Sequence, residues 1–224
     1  MPSPLNDKKL EALLSELHAQ SDAQLAAINA YVEGRARDGT LNPGRFDAEM
    51  RRFFADKMVT LDRDKAELCY HLCRALQARR VVEAGTSFGV STLYLAAAVR
   101  DNQVENGIVI GTEYEAHKAA IARANFQRAG LAEFIELREG DLRQTLQDVG
   151  GEVDFMLIDI WDVALPALQL VSPRLRRGAI VACDNTTDYP DYYKDYFAFV
   201  HEPKNRLRTL TLPYTGGFEL TVRI

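Results

Sequence analysis

The sequence predicts an α/β fold, a doubly wound parallel sheet with helices on both faces, extended by an antiparallel hairpin at its carboxyl end. Three observations carry this. Five short apolar runs alternate with helical patterns between residues 80 and 183. The first run breaks into a glycine-containing loop that passes straight into a helix. Two further strand-like runs near the end are separated only by Pro213-Tyr214-Thr215-Gly216-Gly217. Strands separated by helices imply right-handed crossovers and a parallel sheet, whereas so short a connection makes a hairpin.

Each element has its own justification. Leu10, Leu13, Leu14 and Leu17, then Leu25, Ile28 and Tyr31, recur at three- and four-residue spacing and predict a helix that runs to breaks at Gly34 and Gly39. A second helical pattern covers residues 45–57. A third follows Asp62 or Asp64 as N-cap, with Ala66, Leu68, Leu72 and Leu76 on one stripe. The five strands are expected over 80–84, 108–112, 134–138, 153–159 and 179–183. The helices between them are expected over 91–100, 116–129 (closed by Gly130), 142–149 and 164–174. Residues 207–212 and 218–224 form the hairpin. Residues 1–57 are read as a helical appendage, a lid or a subunit contact, and residues 58–224 as the main domain.

Composition narrows the class. A chain of 224 residues, 47% hydrophobic, buries one good core. The net charge of −5 and the scattered Lys and Arg argue against a nucleic-acid partner and favour a small molecule. No apolar run is long enough to span a bilayer, and the polar start around Asn6, Asp7, Lys8 and Lys9 does not read as a signal peptide, so a cytoplasmic location is expected. Cys69, Cys73 and Cys183 read as buried free thiols, because Cys69 and Cys73 have no Cys or His partners at ligand spacing.

The chemistry gathers at the ends of the strands. Val81-Val82-Glu83-Ala84-Gly85-Thr86-Ser87-Phe88-Gly89-Val90-Ser91 makes a cradle in which Gly85 and Gly89 permit close backbone approach and the loop amides sit at the start of a helix. The run 108–112 ends on Glu113, where a nucleotide-binding sheet places a carboxylate on ribose hydroxyls. Counted from Gly85, the third and sixth positions are Ser87 and Val90, so the glycines that accommodate a pyrophosphate are missing and NAD is disfavoured. Further along, Asp159 closes the fourth strand, and Asp184-Asn185 closes the fifth. Two carboxylates and an amide carbonyl are hard ligands suited to magnesium, and the same residues also serve as turn and cap chemistry.

The order Glu83-x-Gly85-Thr86-x-x-Gly89-x-Ser91, Glu113, Glu139-Gly140-Asp141, Asp159-Ile160-Trp161 and Asp184-Asn185 resembles the class I methyltransferases dependent on S-adenosylmethionine (SAM). Within them it is similar to the cation-dependent O-methyltransferases of catechol and caffeoyl-coenzyme A, over roughly residues 58–185. That resemblance implies a Rossmann-like seven-stranded, mostly parallel sheet. It implies a cofactor site containing Glu83, Gly85, Ser87, Gly89 and Ser91, with the methionine end on Gly85, Ser87 and Ser91. The ribose would lie on Glu113 and the adenine edge on Gly140 and Asp141. Asp159, Asp184 and Asn185 would hold Mg2+ or another divalent ion, and Asp159 would also neighbour the cofactor. Trp161 matches an aromatic beside the cofactor and reads equally as packing. The activity implied is methyl transfer to a hydroxyl of a small, catechol-like aromatic acceptor, by a homodimer.

One position departs from the family pattern: a lysine is usual three residues after the first metal aspartate, and here stands Asp162. Asp162 has three readings, as base, as added metal ligand, or as a solvated loop residue; His201, Lys194 and Lys204 are possible substitutes for the missing base. Two alternatives stay open, a metal-independent SAM methyltransferase and a SAM-binding protein without transfer. The aromatic group Tyr189, Tyr192, Tyr193, Tyr196, Phe197 and Phe199 reads either as an acceptor wall or as a helix packing Tyr192, Tyr196 and Phe199 on the sheet, with Tyr189 and Tyr214 the better pocket candidates.

Overall fold

A computed structural model describes residues 4–42, 46–188 and 190–224. In chain order the elements are α1 (Lys8–Arg37), α2 (Ala48–Phe54), α3 (Arg63–Ala75), β1 (Arg80–Ala84), α4 (Val90–Asn102), β2 (Ile108–Glu113), α5 (Ala116–Ala129), β3 (Ile135–Glu139), α6 (Leu142–Thr145), β4 (Val153–Ile158), α7 (Ala164–Val171), β5 (Leu175–Asp184), α8 (Pro190–His201), β6 (Leu207–Leu212) and β7 (Phe218–Arg223). They build one seven-stranded sheet in the order β3-β2-β1-β4-β5-β7-β6. The first five strands pair in parallel, and β7 runs antiparallel between β5 and β6. The expected fold, hairpin included, is the one observed.

Period-two alternation sorts the strand residues onto two faces. Val81, Val109, Phe155, Leu157 and Ala182 join the core beneath α3, α4 and α5, whereas Val82, Ile110, Met156, Ile158, Val181 and Cys183 join the core beneath α6, α7 and α8. Strand order reverses between β1 and β4. Their carboxyl ends therefore open a crevice of the kind where doubly wound sheets bind ligands.

The N-terminal segment differs from its expected form. Gly34 does not end α1; the helix continues to Arg37, and a Cβ at Gly34 would meet nothing within 4 Å, so glycine there is not demanded by packing. The first half of α1 is not peripheral, because Leu10, Leu13, Leu14 and Leu17 lie in the same buried cluster as α3 and α4. The second half joins a small aromatic cluster with α2. α2 itself is shorter than expected and starts after Asp47, whose carboxylate caps the amides of Glu49 and Met50.

Smaller corrections have local causes. α6 ends at Thr145, and α7 gives way to a 3-10 turn over Ser172–Arg174, where Pro173 stands at its start. The aromatic helix α8 does pack on the sheet, but through Tyr193, Tyr196 and Val200, while Tyr192 and Phe199 are only partly buried at the edge of that core. Tyr214 stacks edge-on against Phe218, with centroids 5.9 Å apart, and packs against the larger core. Tyr189 lies outside the described residues. All three cysteines are buried and unpaired, as expected, and burial pushes each thiol well above its ordinary range. Among the described residues no helix is long and apolar enough to cross a membrane.

Candidate functional site

The loop after β1 is held by its own polar groups. Glu83 is fully buried, and its carboxylate accepts from Thr86 Oγ1 at 2.8 Å, Ser91 Oγ at 2.7 Å and Thr92 Oγ1 at 2.5 Å. Desolvation raises its pKa, and the three hydroxyl donors only partly offset this. Gly111 makes room for the arrangement, since a Cβ there would lie 2.5 Å from Thr86 Oγ1. Glu83, expected beside the cofactor, is thus a brace that ties β1 to the start of α4. The Ser91 hydroxyl serves the same brace.

The two glycines separate in role. Gly85 has φ +101°, and a Cβ on it would stand 2.3 Å from the Asp159 carbonyl oxygen, so it lets β1 and β4 close together at the crevice. Gly89, also left-handed, would strike the Phe126 ring at 2.4 Å; its missing side chain serves the packing of α5, not a ligand. α4 consequently begins at Val90 and not at Ser91. Thr86, Ser87, Phe88, Val90 and Ser91 line a narrow cavity with Gly85, Asp159 and the segment 59–61. Val59, Thr60 and Leu61 were not anticipated there; their only sequence signal is an apolar stretch running into α3.

Glu113 ends β2 and accepts from the Ser87 amide at 2.7 Å and the Glu115 amide at 2.8 Å. These bonds fix its carboxylate beside the loop and leave lone pairs on both oxygens. Gly140, at φ +121°, donates its amide to the Glu113 carbonyl, and Asp141 caps α6 by accepting from the Arg143 amide at 2.9 Å. The strand ends therefore present Ser87, Glu113, Gly140 and Asp141 along one rim.

Beyond β4 the structure alters two expectations. Trp161 packs edge-on against Phe46 and Phe54, at centroid distances of 4.9 and 5.5 Å, which makes it an anchor for the α2 segment. Asp162 accepts from Arg51 on α2 at 2.6 Å. That ion pair ties Asp162 to α2. Lys118 adds a third tie by donating to the Phe54 carbonyl at 2.9 Å. His201 stacks on Phe197, and Lys204 lies 4.0 Å from Glu202.

The expected metal ligands meet an unexpected cation. Register neighbours Ile158 and Cys183 bring Asp159 and Asp184 to adjacent strand ends. Asp184 Oδ1, however, accepts from Lys65 Nζ at 2.7 Å, and Oδ2 accepts from Asn185 Nδ2 at 3.1 Å. Lys65 also pairs with Asp62 at 3.0 Å. A Cβ on Gly216 would fall 2.8 Å from Asn185 Oδ1, so the amide oxygen lies at the hairpin turn. A divalent ion on Asp184 would face the ammonium at roughly 4 Å, a repulsion of about 8 kcal/mol at an effective dielectric of about 20. Among the described residues no three His, Cys, Asp or Glu side chains form a metal-binding group. The Asp159, Asp184 and Asn185 set as arranged does not fit a divalent ion.

Charge explains the remaining electrostatics. Burial, then the neighbouring Asp184 and Glu83 carboxyls, push Asp159 well above the ordinary carboxylate range. Asp184 is also raised by burial, against the lowering pull of Lys65. Burial alone would lower Lys65, but its bonds to Asp184 and Asp62 outweigh this and hold it above the usual lysine value.

Known proteins resemble this arrangement. Residues 82–186 match a methyltransferase domain family. A catechol O-methyltransferase from Mycobacterium tuberculosis is 38% identical over 116 residues, which are 51% of this chain and 51% of that protein. One from Niastella koreensis is 28% identical over 75% of this chain and 73% of its own length. The structure of an O-methyltransferase from Bacillus cereus in complex with S-adenosylhomocysteine (SAH) has a TM-score of 0.67 at 22% identity, covering 98% of this chain and 92% of that one. Sheet order, glycine loop and sequence matches are similar to those of the class I, SAM-dependent methyltransferases. Within that class its relatives are those read from the motifs, the catechol and caffeoyl-CoA O-methyltransferases.

Proposed function

We propose that this protein moves the SAM methyl group to a hydroxyl oxygen of a small aromatic acceptor in the crevice at the ends of β1, β4 and β5. The observation that carries the reading is the cavity lined jointly by Gly85, Thr86, Ser87 and Ser91 and by Asp159, a carboxyl with raised proton affinity. On this reading Ser87 and the loop amides receive the methionine end, Glu113 the ribose hydroxyls, and Gly140 with Asp141 the adenine edge. SAM brings an activated methyl group with a good leaving group. The protein's own work is then to align the acceptor oxygen and accept its proton. An oxygen lone pair forms the new O–C bond, the C–S pair returns to sulfur as the neutral thioether, and the hydroxyl proton passes to the Asp159 carboxylate.

Between metal-assisted and metal-independent transfer, the lysine ammonium standing on Asp184 supports the metal-independent form. A homodimer and a cytoplasmic location belong to the same proposal. Calorimetry with SAH tests the cofactor part: binding is expected, with Glu113→Ala weakening it at least about tenfold, the order of two lost hydroxyl contacts. Product mass after incubation with SAM and simple phenols or catechols tests the transfer. Binding of NAD and not SAH refutes the reading.

A further inference from the structure

Lys65 has no part in the step just described, yet it is among the most deeply buried charges of the chain. It stands in the first turn of α3, on the same buried face as Cys69 and Cys73, with its side chain only 2% exposed. An ammonium has three N–H donors and is costly to bury unless they are engaged. Two are accounted for, by Asp184 Oδ1 at 2.7 Å and by Asp62 Oδ2 at 3.0 Å. Among the described residues the third has no protein acceptor. The carboxylate that Lys65 grips ends β5, next to the β4 end where Asp159 lines the cavity.

We propose that the Lys65 ammonium is the resident cation of the acceptor site, standing where a divalent ion would otherwise bind Asp184, and that its third N–H holds the acceptor oxygen. The inference rests on the O-methyl transfer reading. A fixed positive charge is what this site needs, because the nucleophilic oxygen gains electron density among Asp62, Asp159 and Asp184 as its proton leaves. Lys65 stays protonated throughout; the proton goes to Asp159, and the methyl group moves from sulfur to oxygen as before. The difference from a metal site lies in the acceptor. A divalent ion offers several coordination positions and can chelate two neighbouring oxygens, whereas one N–H binds one oxygen. The acceptor class is therefore an aromatic with a single hydroxyl at the reacting position, and a vicinal diol is not required.

The test separates the cation from the reaction. Mn2+ binding, read by electron paramagnetic resonance, is compared in wild type, Lys65→Gly and Lys65→Gln, with SAH affinity as the measure of folding. Wild type is expected to show no saturable Mn2+ site and to methylate simple phenols undiminished in EDTA. Lys65→Gly, freed of the ammonium, should gain a saturable Mn2+ site that a further Asp184→Ala removes. Lys65→Gln should keep SAH affinity within about twofold and lose at least about 100-fold in kcat/KM for the acceptor, the range of a lost charged contact to a reacting oxygen. Wild-type Mn2+ binding that Asp184→Ala abolishes overturns the proposal, as does failure of folded Lys65→Gly to gain the site, or wild-type kcat/KM in Lys65→Gln. If no hydroxyl acceptor is methylated by any form, the transfer reading fails, and the Mn2+ comparison still decides whether Lys65 fills the cation position.

Discussion

Replacing Glu83 tests whether the glycine loop is built around a buried carboxylate or whether that carboxylate meets the cofactor. Glu83→Ala would leave the Thr86, Ser91 and Thr92 hydroxyls without their acceptor in a site where Glu83 is 0% exposed. Each bond to a charged acceptor contributes about 1.5 kcal/mol, and relief of the carboxylate's desolvation offsets part of the loss, so the expected cost is about 4 kcal/mol. For a chain of this size that lowers Tm by about 10 °C. Glu83→Gln keeps the shape, keeps one acceptor oxygen and turns the other into a donor, so it costs about 1–2 kcal/mol at neutral pH. The pH dependence carries the sign. Glu83 binds its proton more tightly folded than unfolded, so its contribution falls as pH rises from 4.5 through its raised value. Glu83→Gln lacks that fall, and the stability gap between wild type and variant should be wider at pH 5 than at pH 8. Urea unfolding at several pH values, with SAH calorimetry alongside, measures both. A gap that widens with pH, or lost SAH binding with unchanged stability, refutes the brace.

Gly85→Ala places a methyl 2.3 Å from the Asp159 carbonyl and asks an L-residue to hold φ +101°, so β1 and β4 must part; a loss of at least about 2 kcal/mol in urea unfolding, with weakened SAH binding, is expected. Arg51→Ala and Asp162→Asn should each leave kcat within about threefold and show a coupling of only about 0.5 kcal/mol in a double-mutant cycle on stability, because Arg51 is 56% exposed and the pair is a surface clasp. A kcat loss confined to Asp162→Asn would return Asp162 to the role of base.

The fold was legible because its signals are local. Short continuous apolar runs such as Phe155–Ile158 set between helical patterns, and a hairpin turn only five residues long, specify strand and direction without any distant contact. Gly34 misled because a single glycine costs a long helix only about 1 kcal/mol, and the packing of Leu10, Leu13, Leu14 and Leu17 ahead of it already anchors α1. The face of α8 was misread by one residue because aromatics surround it on consecutive positions; the buried hydroxyl of Tyr193, which donates to the Asp184 carbonyl at 2.9 Å, fixes the rotation. Glu83 and Gly89, expected at the cofactor, each meet a protein partner, and Trp161, readable as cofactor neighbour or as packing, packs on Phe46 and Phe54. Their spacing marks a site, but whether a carboxylate, a bare Cα or an indole meets ligand or protein depends on Thr92, Phe126 and Phe46, which no motif contains.

Lys65 and Arg51 escaped for a different reason: their partners are 119 and 111 residues away. A trace of the first was present, since Lys65 occupies the stripe position of Cys69 and Cys73 on an otherwise apolar helix face, where a charge requires a partner. The consequence reaches the chemistry. The strand ends supply Asp159, Asp184 and Asn185 whatever α3 carries, and the sheet fixes their separation. What meets those oxygens is decided by the first turn of α3, which delivers an ammonium to Asp184, and by α8, whose Tyr193 holds the same residue by its backbone carbonyl. Cation identity, and with it the number of acceptor oxygens the site can grip, is therefore set by one helix position outside every motif that identifies the fold.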